Sequence, residues 1–198
     1  ARYKTAWRLS SLRFFIGGIF LLPFVFIYWK KVDWKGIGWK HWLMLLCCSI
    51  LGITAAFILF HEALTGISAT AGATLISTTP LFIAPLAFLL LKEKMGYIGI
   101  LGILVGALGI VLLVFVEDHH EIRLNSSPIL LLISVILFSF YTIGMKYLNG
   151  KMNARVTTPL TLFFGAILML PVIFVKEVPL HTEKMTLAAW GGILYLGI

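Results

Sequence analysis

Charge divides this chain. Its sparse ionisable side chains leave seven uncharged windows: Phe14–Trp29, Trp42–Phe60, Ala63–Leu91, Met95–Val116, Leu124–Met145, Val156–Val175 and Met185–Ile198. A helix that crosses a bilayer needs roughly 17 to 25 largely apolar residues. The first six windows meet that length, the first with Ser10–Leu12 added. A soluble core could bury one such window, but not six in series. Only 12% of the residues are charged and 60% are hydrophobic, against about 25% charged in a soluble domain. Lipid offers backbone groups no partner, so these windows must be helices. The predicted fold class is an all-α polytopic membrane protein, a helical bundle. The first window is too long for a secretory signal, and no small-residue cleavage site follows it.

The third window is the unusual one. It carries Ala69-Thr-Ala-Gly-Ala-Thr-Leu-Ile-Ser-Thr-Thr-Pro80 and then Leu-Phe-Ile-Ala-Pro85. Hydroxyl-rich, proline-interrupted backbone is tolerated at membrane depth only against protein or a watery cavity. Thr70, Thr74 and Ser77 share one helical face. They can line a solute path, or bond the carbonyls of their own helix. Pro80 and Pro85 each free a carbonyl one turn back, so both are expected kink or hinge positions.

The net charge is +8. The basic residues flank the windows, which is the pattern of topological anchors rather than of a nucleic-acid surface. Loops near residues 30–40, 92–94 and 146–155 hold nine Lys or Arg; Arg123, Lys176 and Lys184 make three on the other side. The first set is therefore expected in the cytoplasm. Arg2, Lys4, Arg8 and Arg13 oppose this order unless they sit in a short link to an earlier helix. The sequence starts at Ala1 and stops within the seventh window, and is expected to be the middle of a longer protein. The adjacent Cys47 and Cys48 are expected to pack, not to form a disulfide. Trp7, Trp29, Trp34, Trp39 and Trp42 gather at the ends of the first window and its loop, as an interfacial belt does.

The first and sixth windows repeat one another. Phe15-Ile-Gly-Gly-Ile-Phe-Leu-Leu-Pro23 matches Phe163-Phe-Gly-Ala-Ile-Leu-Met-Leu-Pro171 at an offset of 148. Ile50-Leu-Gly-Ile53 echoes Tyr195-Leu-Gly-Ile198 at 145. The copies lie five windows apart, so they cross in opposite directions. Inverted repeats are common in secondary transporters because exchanging the two halves' conformations opens a central site to either side.

Several segments together resemble an EamA domain of the drug/metabolite transporter superfamily. They are Phe57-Ile-Leu-Phe-His-Glu-Ala-Leu-Thr-Gly-Ile-Ser68-Ala-Thr-Ala, Ser77-Thr-Thr-Pro80-Leu-Phe, Leu91-Lys-Glu93-Lys, and Gly99-Ile-Leu-Gly102 through Gly106-Ala-Leu-Gly109. The resemblance implies ten helices in two inverted five-helix repeats. On that template residues 1–116 are the first repeat without its first helix, with helices about 10–29, 41–61, 69–91 and 96–116. Residues 117–198 are a truncated second repeat, with helices about 126–148, 157–175 and 187–198. The family's members are secondary carriers, often exporters of metabolites, amino-acid-like compounds or drugs.

The candidate cavity residues are Phe57, Thr74, Ser77, Thr78 and Tyr141. Tyr141 falls in the helix that borders the cavity in this family, beside Ser134, Ser139 and Thr142. Phe57, Phe60 and Tyr141 can equally be core. Glu62, next to His61, is the candidate for proton coupling, because a carboxylate near membrane depth is costly unless used; the alternative is a solvated helix end. Glu93 is either a gate or a solvated turn. Gly99, Gly102, Gly106 and Gly109 form a packing stripe, with a homodimer interface as the sharper reading. His119-His120 reads as a solvated loop before it reads as a metal site.

No P-loop, nucleophile elbow or zinc motif occurs, so no cofactor, metal or catalytic residue is expected. The expectation is a carrier, not an enzyme, in a bacterial cytoplasmic membrane. Its partners would be a small-molecule substrate and the lipid bilayer, without nucleic acid. The rival readings are a membrane-embedded lipid or sugar transferase and a non-transporting membrane partner.

Overall fold

The computed structural model describes residues 16–23, 25–30, 32, 34–117 and 126–175. The expected helix at 187–198, the basic tail with Trp7, and the loop with His119-His120 lie outside the described residues.

Helix α1 covers residues 16–23 and 25–29. It is followed by α2 (Trp39–Cys48), a π-helix (Ser49–Ala55), α3 (Ala56–Ala63), α4 (Ala69–Ile76), α5 (Thr79–Leu91), α6 (Tyr97–Glu117), α7 (Ser126–Lys151) and α8 (Ala154–Val175). Among the described residues there is no strand. Among the described residues four stretches, Trp39–Ala63, Thr70–Leu91, Ser126–Lys151 and Ala154–Pro171, are long and apolar enough to cross a membrane. By contacts the described residues form two compact units. One takes residues up to Thr54 and from Met145 on; the other is Ala55–Gly144.

In the first unit the repeat-related helices α1 and α8 meet. Gly18 backs onto α8 so closely that a Cβ there would lie 3.4 Å from the Phe163 Cα. Small residues are what allow membrane helices to approach by their backbones. Arg155 holds its guanidinium 4.5 Å above the Tyr28 ring, joining the end of α1 to the start of α8. Asn153 starts α8 as its N-cap: its side chain accepts from the Arg155 amide at 3.0 Å. Thr157, fully buried, donates to the Asn149 side chain across the α7–α8 turn. Trp34 lies against Trp29 and stacks on Trp42, with ring centroids 4.1 and 6.0 Å apart. Its indole N–H donates to the Trp29 carbonyl at 2.8 Å. Cys47 is exposed, Cys48 is buried, and neither is in a disulfide.

The second span is helical from Trp39 to Ala63, but its middle widens into seven residues of π-helix. The Thr54 hydroxyl lies 3.4 Å from both the Ser49 and the Gly165 carbonyls, bridging the widened turn to α8. Such bulges recur at functional sites because they re-aim the residues that follow. Here those residues are Ala56 and Phe57.

The third window forms one span, Thr70–Leu91, in keeping with the expected 69–91. Its regular α-helix is interrupted at Ser77–Thr78. Ser68 caps α4 by accepting from the Ala71 amide at 3.1 Å. Pro80 falls in the first turn of α5, where a missing N–H is harmless. The interruption of the span falls directly before it. Pro85 lies inside α5 and does remove an internal bond. Helix α5 ends on Lys92 in the left-handed conformation, φ 54°. Gly106 of α6 packs on Leu81 of α5, whereas a Cβ at Gly102 or Gly109 would meet nothing within 4 Å.

Candidate functional site

The second unit contains an apolar recess of about 150 Å³. Helix α3 supplies Ala56, Phe57 and Phe60; the α4–α5 junction supplies Ile76 and Thr79; α7 supplies Ser134, Val135 and Phe138. At 1.5 Å per residue, Phe57 lies roughly 9 Å from the Ala63 end of α3, Ile76 roughly 10 Å from the Ala69 end of α4 and Ser134 roughly 12 Å from the Ser126 end of α7.

Each lining group has a local cause. Phe57 and Phe60, three residues apart, share a face of α3, and their rings meet edge to face at 6.2 Å. The buried His61 ring sits edge-on to Phe60 at 5.3 Å. His61 Nδ1 lies 2.8 Å from the Phe57 carbonyl, which can only accept, so that nitrogen carries the proton. Ser134 donates to the Ala56 carbonyl at 2.7 Å, fastening α7 to the start of α3. The Thr79 hydroxyl donates to the Ile76 carbonyl. That carbonyl would otherwise have used the N–H that Pro80 lacks.

Of the five sequence candidates for the cavity, Phe57 lines the recess. Tyr141 stands one turn beyond it, its ring 5.4 Å from that of Phe138. Thr74 and Ser77 belong to the other face of the α4 turn that presents Ile76. The Ser77 hydroxyl is turned back onto the Ala73 carbonyl at 2.9 Å, and that of the buried Thr78 onto the Leu75 carbonyl at 2.6 Å. Glu62 lies in the last turn of α3, inside the helix. It stands about 140° around the axis from Phe57 and about 200° from Phe60, off the recess face. Its carbonyl accepts from the Thr65 amide and hydroxyl, at 3.1 and 2.7 Å, closing the turn after α3.

Ile76, Thr79, Val135 and Phe138 line the recess beyond the cavity residues expected from sequence. The i, i+4 pair Ser134 and Phe138 carried a local signal. What the sequence lacked was the juxtaposition of α3 with a helix 78 residues away. Among the described residues no three His, Cys, Asp or Glu side chains gather to hold a metal ion.

The chain matches the model of the EamA-like transporter family over residues 2–115 and 125–198. It is 29% identical over 198 residues to an uncharacterized transporter of Clostridium kluyveri, covering 97% of this chain and 62% of that protein. It is 25% identical to an uncharacterized transporter of Archaeoglobus fulgidus, covering 100% of this chain and 67% of the relative. It is also 25% identical to the uncharacterized transporter YetK of Bacillus subtilis, covering 96% and 58%. The chain thus spans about six tenths of the length of these curated relatives. No solved structure matches it.

Proposed function

Because the chain belongs to the EamA-like transporter family, an integral membrane family, we propose that its protein carries a small organic solute across the membrane by alternating access. The assigned direction is export, the driving force a proton or solute gradient, and the location a bacterial cytoplasmic membrane. The recess is the observation that carries this reading. It is a small cavity lined by apolar residues of α3 and α7 and by Ile76 and Thr79 on either side of the helix break. The contact of the repeat-related helices α1 and α8 at Gly18 and Phe163 supports it further. Helices of two inverted repeats that approach by their backbones can rock about that contact. Glu62 is assigned to proton coupling, acting from the end of α3 rather than from the recess wall.

The test is solute-induced proton flux into liposomes that hold the full-length protein and an internal pH dye. Amino acids, nucleosides and uncharged aromatics would be screened. A carrier gives saturable flux with at least one solute, and Glu62→Gln abolishes the proton movement. Flux unchanged by Glu62→Gln removes the coupling assignment. Folded protein without any flux, by dye or by labelled-solute exchange, removes the carrier.

A further inference from the structure

Resting on the carrier reading, we infer that the recess takes an uncharged aromatic or aliphatic moiety and rejects zwitterions. Six of its eight lining residues, Ala56, Phe57, Phe60, Ile76, Val135 and Phe138, offer only carbon. The other two carry hydroxyls, and both hydroxyl hydrogens are committed. Ser134 donates to the Ala56 carbonyl and Thr79 to the Ile76 carbonyl. A hydroxyl has one hydrogen to give, so neither can donate to a ligand without abandoning a backbone carbonyl at membrane depth. The Thr79 bond is bound to the covalent structure, because Pro80 has no N–H with which to replace it.

A carboxylate entering the recess would leave water and find no donor. Such a group is bound only when its lost hydration is replaced. An ammonium would find hydroxyl lone pairs and ring faces, but no carboxylate in the lining. An uncharged ring loses nothing comparable. It exchanges water or lipid for three phenylalanines, in a space of about 150 Å³, the scale that accepts a benzene-sized guest. The polar part of a larger solute would remain outside the recess.

The experiment is calorimetric titration of the full-length protein in nanodiscs with three probes: indole, alanine and the tetraethylammonium ion. Indole is expected to bind saturably with a negative heat-capacity change, the mark of apolar burial. Phe57→Leu and Phe138→Leu are expected to weaken it by roughly tenfold or more, the range by which apolar pockets discriminate. Leucine preserves apolar bulk, and thermal unfolding shows that each variant is folded. Alanine should give no heat of binding. Tighter binding of alanine or tetraethylammonium than of indole overturns the inference. So does indole binding indifferent to both leucine substitutions, or the absence of binding by any probe, which would mean that the remainder of the full-length chain fills the recess. Liposome flux runs in parallel. Flux of a zwitterion without indole binding keeps the carrier and rejects the apolar class; indole binding without flux of any solute keeps the class and rejects the carrier.

Discussion

Ile53 leaves no room for a side chain at Gly165: a Cβ built there would overlap Ile53 Cβ and Cγ2. The π-helix and α8 thus touch across a glycine. The obstruction is the branched root of Ile53, not a flexible tip that could swing aside. Gly165→Ala gains about 1 kcal/mol of helix propensity but overpacks by about 1–3 kcal/mol, so the net effect is destabilising. Gly18→Ala, with its nearest neighbour at 3.4 Å, should be tolerated, and Gly102→Ala and Gly109→Ala should be neutral or slightly stabilising. Thermal unfolding of the full-length variants in one detergent checks this order. A loss at Gly102 and Gly109 equal to that at Gly165 would instead place another helix, or another copy of the protein, over the α6 stripe.

Ser134→Ala removes the bond between α7 and the Ala56 carbonyl. Cross-helix hydrogen bonds in membranes average about 0.6 kcal/mol and reach about 1.7. Ser139 bonds only one turn back, to Val135 in its own helix, and Ser139→Ala should cost less. A double-mutant cycle of unfolding free energies distinguishes the two.

The Arg155–Tyr28 contact joins repeat-related helices at the end expected to face the cytoplasm. Tyr28→Phe keeps the ring and should preserve the coupling. Tyr28→Leu and Arg155→Gln should each lose about 0.5–1 kcal/mol, with little further loss in the double variant. Cysteine accessibility from the cytoplasmic side should rise in both single variants.

The two prolines of the third span should behave differently. Pro80 stands in the first turn of α5, so Pro80→Ala should transport at close to the wild-type rate. Pro85 is interior. Pro85→Ala returns an N–H to the Leu81 carbonyl and stiffens α5, and is expected to slow flux several-fold while leaving solute affinity unchanged. Parallel flux and titration measurements check this; equal behaviour of the two variants would remove the hinge from Pro85.

Much of the scaffold was legible because bilayer thickness and backbone chemistry act on local sequence. Where they are described, the uncharged windows are helical, with α6 at Tyr97–Glu117 and α8 at Ala154–Val175, since no other open-ended structure satisfies backbone groups in lipid. The repeat was read from Gly17 and Pro23, which recur as Gly165 and Pro171 at one offset. The hydroxyls were ambiguous from sequence. Ser77, Thr78 and Thr79 could reach a cavity or their own carbonyls; the break before Pro80 left carbonyls to satisfy, and all three bond backward.

By itself, then, the sequence determined that the chain is built of apolar helices, which depends on composition within each segment, and, through its motifs, the family. The tertiary structure alone decided that Phe57, Phe60, Ile76 and Phe138 face one another while Glu62 and the Thr74–Ser77 face do not. That choice depends on the rotation of each helix about its axis. In a segment apolar on every side, no amphipathic stripe fixes the rotation. It is set by close contacts between distant residues, such as Ser134 with Ala56 and Gly165 with Ile53.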